Sequence, residues 1–287
     1  MAIEVISIGS SSSGNSYIIS AGGHHIILDV GLTAKKINAA MEQAGIAPED
    51  VAAVLVTHEH VDHIKSVRAI GKKCCNAVFI ASRGTVEHTE NFKYIPEERL
   101  RIVSPGDEIT ITSEYFDNCN DVTIRTFALS HDASEPVSYT FTCGGEKLAV
   151  VTDTGIITDE IYEAIHDADM LVFEANHDED LLMFGEYPYP VKVRIKGDHG
   201  HLSNKYAGEV LAKLLTERYQ YIDIETSSDI SDGQQRPVNI MLAHLSFHNN
   251  APFCARTPIE SILAESGFER DVHYTLSIAA KDEISIM

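Results

Sequence analysis

Four side chains of the kind that bind metal ions fall within six residues: His58, His60, Asp62 and His63. They follow the apolar run 51–56, which predicts a buried strand. A strand that ends in a tight turn can direct all four side chains to one point. Imidazoles and a carboxylate are ligands of Zn²⁺, Mn²⁺ or Fe at catalytic sites. The H-x-H-x-D-H motif therefore predicts a metal site at the end of a strand.

Composition excludes several classes of protein. The chain has 287 residues, is 44% hydrophobic and carries a formal net charge of −21. This acidity argues against a protein that coats nucleic acid without specificity, although a local site can still bind an anion. No apolar run approaches the roughly 20 residues of a membrane span. The five cysteines contain no C-x-x-C pair, which favours free thiols and a location in the reducing cytoplasm.

Strand patterns and helix patterns alternate along the whole chain. Strands are predicted at 3–8, 16–20, 24–29, 51–56, 77–80, 122–129, 137–143, 147–152, 169–174, 238–243 and 273–279, and helices at 33–44, 64–72, 83–91, 158–168, 203–218 and 258–266. For the last helix, Thr257 is the expected N-cap and Pro258 the first-turn residue. The strands fall into two batches with helices attached. This pattern predicts an α/β fold, a four-layer αββα sandwich of two mixed sheets, with residues 1–287 as one domain.

Two segments are predicted to be irregular. Residues 177–200 form a long connection, and the acidic stretch 223–236 has the composition of an exposed loop.

Further candidate ligands come where other strands end. His131, Asp153 and His244 each follow an apolar run and could point into a shared cleft. Together with the first motif they supply five histidines and two aspartates, enough for two metal ions. Asp29 also ends a strand, and we interpret it as a carboxylate that orients an imidazole.

This order of motifs resembles the metallo-β-lactamase superfamily over nearly the whole chain. The resemblance implies that His58, His60 and His131 hold one metal ion. It assigns Asp62, His63 and His244 to a second ion and Asp153 to a bridging position. Dizinc β-lactamases usually have cysteine where this chain has Asp153, which argues against antibiotic hydrolysis. The implied cofactor is a pair of divalent ions, Zn, Mn or Fe.

Three segments resemble the phosphodiesterase and nuclease branch of that superfamily: Phe173–Asn176, Gly200–Asn204 and Ala243–Ser246. In that branch a histidine of the second segment, here His201, pairs with the glutamate of the first, here Glu174, and can protonate the leaving oxygen. The opening segment Gly9–Tyr17, the run Tyr187–Pro190 and the segment Gly200–Asn204 resemble more specifically the bacterial YycJ/VicX (WalJ) proteins, whose members resemble 5′→3′ DNA exonucleases. The resemblance thus implies a nucleic acid substrate, a metal-bridged hydroxide as nucleophile, and His201, Glu174 and Asp62 as catalytic residues.

Candidate substrate contacts surround these motifs. The loop 10–16, with Ser12 and Asn15, could hold a terminal phosphate or simply form a hairpin turn. Lys192 and Arg194 alternate with apolar residues towards Lys196, so on a strand they would share one side. The remaining candidates are Ser246 and Asn249 after His244, and the set Lys65, Arg68 and Lys72 at helical spacing.

Two other functions remain open. A glyoxalase-II-like thioester hydrolase would use nearly the same ligands, but a thiolate leaves without a strong acid, so the Glu174–His201 pair disfavours it. A regulatory protein could retain the metal site without catalysis. The sequence leaves open whether the protein is a homodimer.

Overall fold

Fourteen strands form two sheets in the computed structural model, which describes residues 2–112, 120–220 and 236–287. The first sheet contains β1 (Ile3–Gly9), β2 (Ser16–Ala21), β3 (His24–Leu28), β4 (Val51–Leu55), β5 (Val78–Ser82), β6 (Leu100–Val103) and β14 (Ser285–Ile286). The second contains β7 (Glu108–Ile111), β8 (Val122–Ala128), β9 (Val137–Cys143), β10 (Glu146–Val151), β11 (Met170–Glu174), β12 (Val238–Ala243) and β13 (Tyr274–Ile278).

Both sheets are mixed, and each has a parallel half. The first has the strand order β14-β1-β2-β3-β4-β5-β6, and within it the strands from β3 through β6 are parallel to their neighbours in that run. The second has the order β13-β12-β11-β10-β9-β8-β7, and within it the strands from β10 through β13 are parallel to their neighbours in that run. The inner parallel strands β4, β10, β11 and β12 are largely buried along their length, as expected for strands covered on each side.

The helices are α1 (Ala34–Gln43), α2 (Val61–Ile64), α3 (Val67–Lys73), α4 (Arg83–Glu87), α5 (Asp159–Ile165), α6 (Glu179–Phe184), α7 (Tyr189–Lys196), α8 (Asn204–Gln220) and α9 (Pro252–Glu265). Three short 3₁₀ turns lie at Pro48–Asp50, Phe92–Tyr94 and Glu97–Arg99. Side-chain caps begin several helices: Thr33 accepts from the backbone of Lys36, and Ser203 accepts from that of Tyr206.

Three apolar clusters define the layers. One lies between the sheets and joins residues such as Val5 and Leu28 of the first sheet to Val150 and Val172 of the second. The other two lie outside the sheets, one under α1 and α3 and the other under α5, α8 and α9. The predicted four-layer αββα sandwich is therefore confirmed.

The last predicted helix is longer than its sequence signals suggested. It begins at Pro252, so Thr257 is not its N-cap and Pro258 lies inside it. Pro258 has no N–H for the carbonyl of Cys254, one turn earlier. That carbonyl accepts a hydrogen bond from Nδ2 of Asn204 at 3.0 Å. A side chain from α8 thus satisfies the group that the proline leaves free.

The connection 177–200 is not irregular, because it contains α6 and α7. The strands β6 and β7 are also absent from the prediction. The acidic stretch 223–236 lies outside the described residues except for Arg236. Every helix in the described ranges is too short or too polar to cross a bilayer.

Candidate metal centre

The seven predicted metal ligands converge at the ends of strands from both sheets. His58, His60, Asp62 and His63 follow β4, His131 follows β8, Asp153 follows β10 and His244 follows β12. Parallel strands bring their carboxyl ends to one edge of a sheet, and the two sheets face each other, so these loops meet in one cleft.

His58, His60 and His131 form one group, whose ligand atoms lie within 4.8 Å of one another. Nε2 of His131 lies 3.3 Å from Nδ1 of His60. Oδ1 of Asp153 lies 3.8 Å from the same Nε2 of His131. Three imidazoles with an adjacent carboxylate are a donor set that suits a divalent transition metal.

Asp62, His63 and His244 form a second group within the same 4.8 Å limit. Oδ2 of Asp62 lies 3.4 Å from Nε2 of His63 and 3.6 Å from Nε2 of His244. Asp153 also reaches this group, with its oxygens 3.3 Å from each of those two nitrogens. The Asp153 carboxylate therefore lies between the two groups.

Several of these atoms are buried without a hydrogen bond. Nε2 of His58, Nε2 of His244 and Oδ2 of Asp153 have no partner of acceptable geometry among the described residues, despite their close neighbours. An unsatisfied buried polar atom costs about 1–3 kcal/mol. Divalent cations would satisfy all three at once, and the nitrogen and oxygen donors match such ions. The residues therefore fit a bound divalent metal.

The backbone is strained at this edge. Asp29, Asp153 and His244 have φ of 57°, 61° and 55°, and among the described non-glycine residues only Asp271 shares this left-handed conformation. Such a conformation is unfavourable for residues with a Cβ, and it persists where the surroundings enforce it, often at functional sites. Asp29 and His244 come directly after β3 and β12, and Asp153 follows β10 after one intervening residue, so the strained backbone lies where these strands end.

Asp29 fixes the orientation of His63. Its Oδ2 accepts from Nδ1 of His63 at 2.7 Å, and its Oδ1 accepts from the backbone N–H of Thr57 at 2.9 Å. The side chains of Asp29 and His63 are both essentially fully buried. The contact that we predicted for Asp29 is present, and it directs Nε2 of His63 towards Asp62 and Asp153.

Glu174 contacts two histidines. Its Oε1 lies 2.8 Å from Nδ1 of His201, as the predicted pair requires, and 3.0 Å from Nδ1 of His244. Its Oε2 accepts from the backbone N–H of Thr154 at 3.0 Å. Burial raises the pKa of Glu174, but His201 and these hydrogen bonds outweigh burial and lower it to about 2. Glu174 is therefore a carboxylate at neutral pH.

Burial and neighbouring carboxylates act in opposite directions on the histidine pKa values. Burial lowers the pKa of His58 well below its usual range. At His63 burial is outweighed by the Asp29 carboxylate, which raises the pKa well above that range. At His244 burial is likewise outweighed by Asp153, and the pKa rises to about 10. Without metal, His63 and His244 therefore hold protons that His58 does not.

The loop 10–16 is part of this centre. Asn15 is buried, and its Nδ2 lies 3.4 Å from Oδ2 of Asp62. Ser10 donates to Oδ1 of Asn15 at 2.9 Å and accepts from the backbone N–H of His244 at 2.8 Å. Ser12 is exposed near the tip of the loop. Asn15 thus packs the loop against the candidate ligands, whereas Ser12 faces solvent.

The basic residues before His201 do not share one side of a strand, because they belong to α7. Pro190 lies in the first turn, where a missing N–H costs nothing, so a helix begins despite the alternating pattern. Nζ of Lys192 donates to the carbonyls of Met183 and Gly185 at 2.8 and 2.7 Å. Arg194 forms an ion pair with Asp132, the neighbour of His131.

The predicted face of Lys65, Arg68 and Lys72 is not one helix face, because only Arg68 and Lys72 belong to α3. The helix is interrupted, since α2 ends at Ile64 and α3 begins at Val67, so Lys65 lies between the two. The Arg68 guanidinium stacks 4.0 Å above the ring of Tyr94.

Ser246 and Asn249 are both buried in the loop after His244. The backbone N–H of Asn249 donates to Oγ of Ser246 at 3.3 Å, and its carbonyl accepts from the N–H of Asp178 at 2.9 Å. These contacts join the loop to the start of α6. A role in substrate contact stays a prediction for both residues.

Comparison with known proteins agrees with this architecture. A family model described as a beta-lactamase superfamily domain matches residues 24–224. The protein YhfI from Bacillus subtilis, described as a metallo-beta-lactamase fold protein, superposes with a TM-score of 0.66 over 99% of each chain at 14% identity. At that identity the likeness shows the fold alone.

Two curated relatives match most of the chain. The exodeoxyribonuclease YycJ of Bacillus anthracis is 33% identical over 270 residues, which cover 93% of this chain and 92% of the relative. The exodeoxyribonuclease WalJ of Streptococcus pneumoniae is 31% identical over 262 residues, which cover 90% and 87%. The chain therefore belongs to the metallo-β-lactamase superfamily and, within it, to the family of the YycJ and WalJ proteins.

Proposed function

We propose that this protein is a metal-dependent nuclease that hydrolyses phosphodiester bonds of DNA. One observation carries the proposal. Nitrogen and oxygen atoms of His58, Asp153 and His244 that could bind a metal are buried without a hydrogen bond, and they converge beside the Glu174–His201 pair. The names of the relatives, both exodeoxyribonucleases, support DNA as the substrate. We also propose exonucleolytic cleavage, which those names support, and cleavage from the 5′ end, which the resemblance of the sequence motifs implies.

We propose that two divalent ions bind, one at each three-residue group, with Asp153 shared between them. The two groups have no residue in common, and Asp153 lies within 3.8 Å of ligand atoms of both. The donors are nitrogen and oxygen without sulfur, which suits Zn, Mn or Fe. When bound, such ions neutralise the charge of a phosphate and activate water for attack.

His201 is the proposed proton donor to the leaving oxygen. Its Nδ1 is engaged by Glu174, so Nε2 remains to hold the transferred proton. Its side chain is 18% exposed, whereas that of Glu174 is fully buried. The imidazole can therefore meet a substrate, while the carboxylate fixes its orientation. Asp62, whose side chain is 23% exposed, is the proposed contact for the attacking water.

We also propose that residues 1–287 form one domain. The terminal strand β14 pairs with β1, and the apolar cluster between the sheets draws residues from both. A DNA substrate is consistent with action in the cytoplasm.

The test uses purified protein loaded with Mn²⁺ or Zn²⁺ and three substrates: 5′-phosphorylated duplex DNA, bis-p-nitrophenyl phosphate and S-lactoylglutathione. We expect cleavage of both phosphodiesters and no thioester hydrolysis. Asp153→Ala should abolish turnover, whereas Asp50→Ala should not, because Asp50 is exposed and precedes β4, at the opposite end of that strand from the candidate ligands. Elemental analysis of protein expressed without added metal gives the number and identity of the ions.

Two results would contradict the proposal. Cleavage of the thioester alone would identify a glyoxalase-II-like hydrolase. Failure to cleave any substrate at full metal occupancy would identify a regulatory protein that retains the site.

A further inference from the structure

An aromatic row lies on the surface next to the metal centre. The ring centroid of Tyr187 is 5.6 Å from that of His248, which is 5.0 Å from that of Phe247. Nζ of Lys281 lies 3.7 Å above the Phe247 ring. Phe247 is 61% exposed although it comes only three residues after His244. The rings of Tyr187, His248 and Phe247 therefore form one contiguous cluster that is at least partly open to solvent.

A pocket lined by lysines begins where this row ends. It has a volume of about 200 Å³ and is lined by Lys36, Lys65 and Lys281, with Asp282 as the acidic member. Asp282 pairs with Lys36 at 2.6 Å. Three lysines against one aspartate leave a positive pocket on a chain whose net charge is −21. Lys281 belongs to both features and joins the row to the pocket.

The pocket shares a wall with the metal centre. Ser11, Ser13 and Gly14 line it, and they belong to the loop that Asn15 packs against Asp62. The backbone N–H of Asn15 donates to the carbonyl of Asp62 at 2.8 Å. A phosphate in the pocket would therefore lie one loop away from the candidate ligands.

Aromatic rings and adjacent cations are the two elements of a single-strand binding surface. Bases of any sequence stack on rings, and basic side chains follow the phosphates. A cation above a ring stabilises it further. Duplex DNA keeps its bases paired and hidden from such rings, so this chemistry favours an unpaired strand.

We propose that the aromatic row Tyr187–His248–Phe247 and the lysine pocket together bind an unpaired polynucleotide strand. The rings meet edge to face, at interplanar angles of 62° and 82°, so bases stack on the solvent-facing side of individual rings, and one phosphate enters the pocket. The inference rests on the proposed nuclease function and extends it to the state of the substrate: the strand is separated before it reaches the metal centre.

The test measures binding apart from catalysis. Fluorescence anisotropy with a chelator present gives the Kd of fluorescein-labelled single strands of two to eight nucleotides. We expect Phe247→Ala to weaken binding about tenfold, the effect of losing one stacked base. Phe247→Leu, which keeps the apolar bulk, should behave like Phe247→Ala. Phe253→Ala, a matched exposed phenylalanine outside the row, should bind like wild type.

The pocket has its own variant. Lys36→Gln combined with Lys65→Gln should weaken binding about tenfold at low salt and less at high salt, because fewer counterions are released. Lys35→Gln, next to Lys36 but not lining the pocket, should have little effect. Strands with a 5′-phosphate, a 3′-phosphate or neither identify the group. Dependence on one end indicates a terminal phosphate, and equal affinities indicate an internal phosphate.

The results separate this inference from the function on which it rests. If Phe247→Ala and the double lysine variant bind every strand like wild type, the proposed binding surface is wrong even where the wild type degrades DNA. If the wild type binds strands through these residues but cleaves none with metal, the nuclease proposal fails and the binding surface stands. The binding surface would also be wrong if the protein bound duplex as tightly as single strands and Phe247→Ala had no effect.

Discussion

Oδ2 of Asp29 lies 2.7 Å from Nδ1 of His63, and neither side chain reaches solvent. The other oxygen of the carboxylate binds the backbone and hydroxyl of Thr57. His63 therefore cannot rotate without breaking a buried, charge-assisted hydrogen bond. The imidazole is held in the orientation that it needs as a ligand before any metal binds.

Asp29→Asn should weaken metal binding about 10- to 100-fold, the usual cost of losing such an orienting partner. An amide has one acceptor oxygen, so it cannot serve both His63 and Thr57. Titration against a fluorescent chelator measures the affinity. The exposed Asp50→Asn serves as the control. Unchanged affinity in Asp29→Asn would mean that His63 is not a ligand.

His201→Ala and Glu174→Gln should differ in their effect on metal content. His201→Ala removes the proposed proton donor, so kcat for DNA should fall about 10²- to 10⁴-fold with the metal retained. Glu174→Gln should lower both kcat and metal affinity, because Glu174 also contacts His244.

The leaving group provides the internal control for His201. The p-nitrophenolate of bis-p-nitrophenyl phosphate leaves without a proton, so His201→Ala should reduce its hydrolysis far less than that of DNA. Equal losses for the two substrates would count against an acid role. Mass spectrometry and steady-state kinetics give both readouts.

The positions of the candidate ligands could be predicted because they depend on local pattern. The runs before His58, Asp153 and His244 are apolar and uninterrupted, as parallel strands covered on both faces require. The residue after such a run lies at the edge of the sheet. Strands β6 and β7 carry no such signal, because they are short, partly exposed and near the ends of their sheets.

The contacts among side chains depend on which strands are neighbours and on their register, and neither can be predicted from the local sequence pattern. Glu174 contacts His244 because β11 and β12 are neighbours, with Glu174 opposite Ala243. The left-handed backbone conformation of Asp29 likewise could not be predicted from the sequence, since aspartate has no strong preference for it. At Lys192 and Arg194 the alternation was misleading, because the prolines before them begin a helix.

Metal binding should release protons. In the absence of metal, burial disfavours protonated His244, but the Asp153 carboxylate and a hydrogen bond to Asp62 outweigh burial and raise its pKa to about 10. The pKa of His63 is also raised well above its usual range, against burial, chiefly by Asp29. Both imidazoles are protonated near neutral pH, and a metal ligand must be neutral. Affinity should therefore rise as pH increases towards 10.

Calorimetry in buffers of different ionisation enthalpy measures the protons released. We expect about two per protein near pH 7.5, and about one fewer in His244→Ala. A binding enthalpy that does not depend on the buffer would show that these histidines are already neutral.

Gly31→Ala should destabilise the fold at the metal centre. A Cβ at Gly31 would lie 1.5 Å from the backbone carbonyl oxygen of Asp62, so the two segments could not remain in contact. The N–H of Gly31 also donates to the carbonyl of Asn15 at 2.9 Å, which ties the loop 10–16 to this point. The added methyl group should cost about 3 kcal/mol or more of the free energy of unfolding, because it meets backbone atoms and not a flexible side chain that can move aside.

Gly197→Ala is the matched control, since its Cβ would have no contact closer than 3.4 Å. Thermal unfolding should show a clear fall in Tm for Gly31→Ala alone, together with a loss of metal affinity as Asp62 is displaced. Equal Tm values for the two variants would show that the segments separate easily, and that Asp62 is not held in place by Gly31.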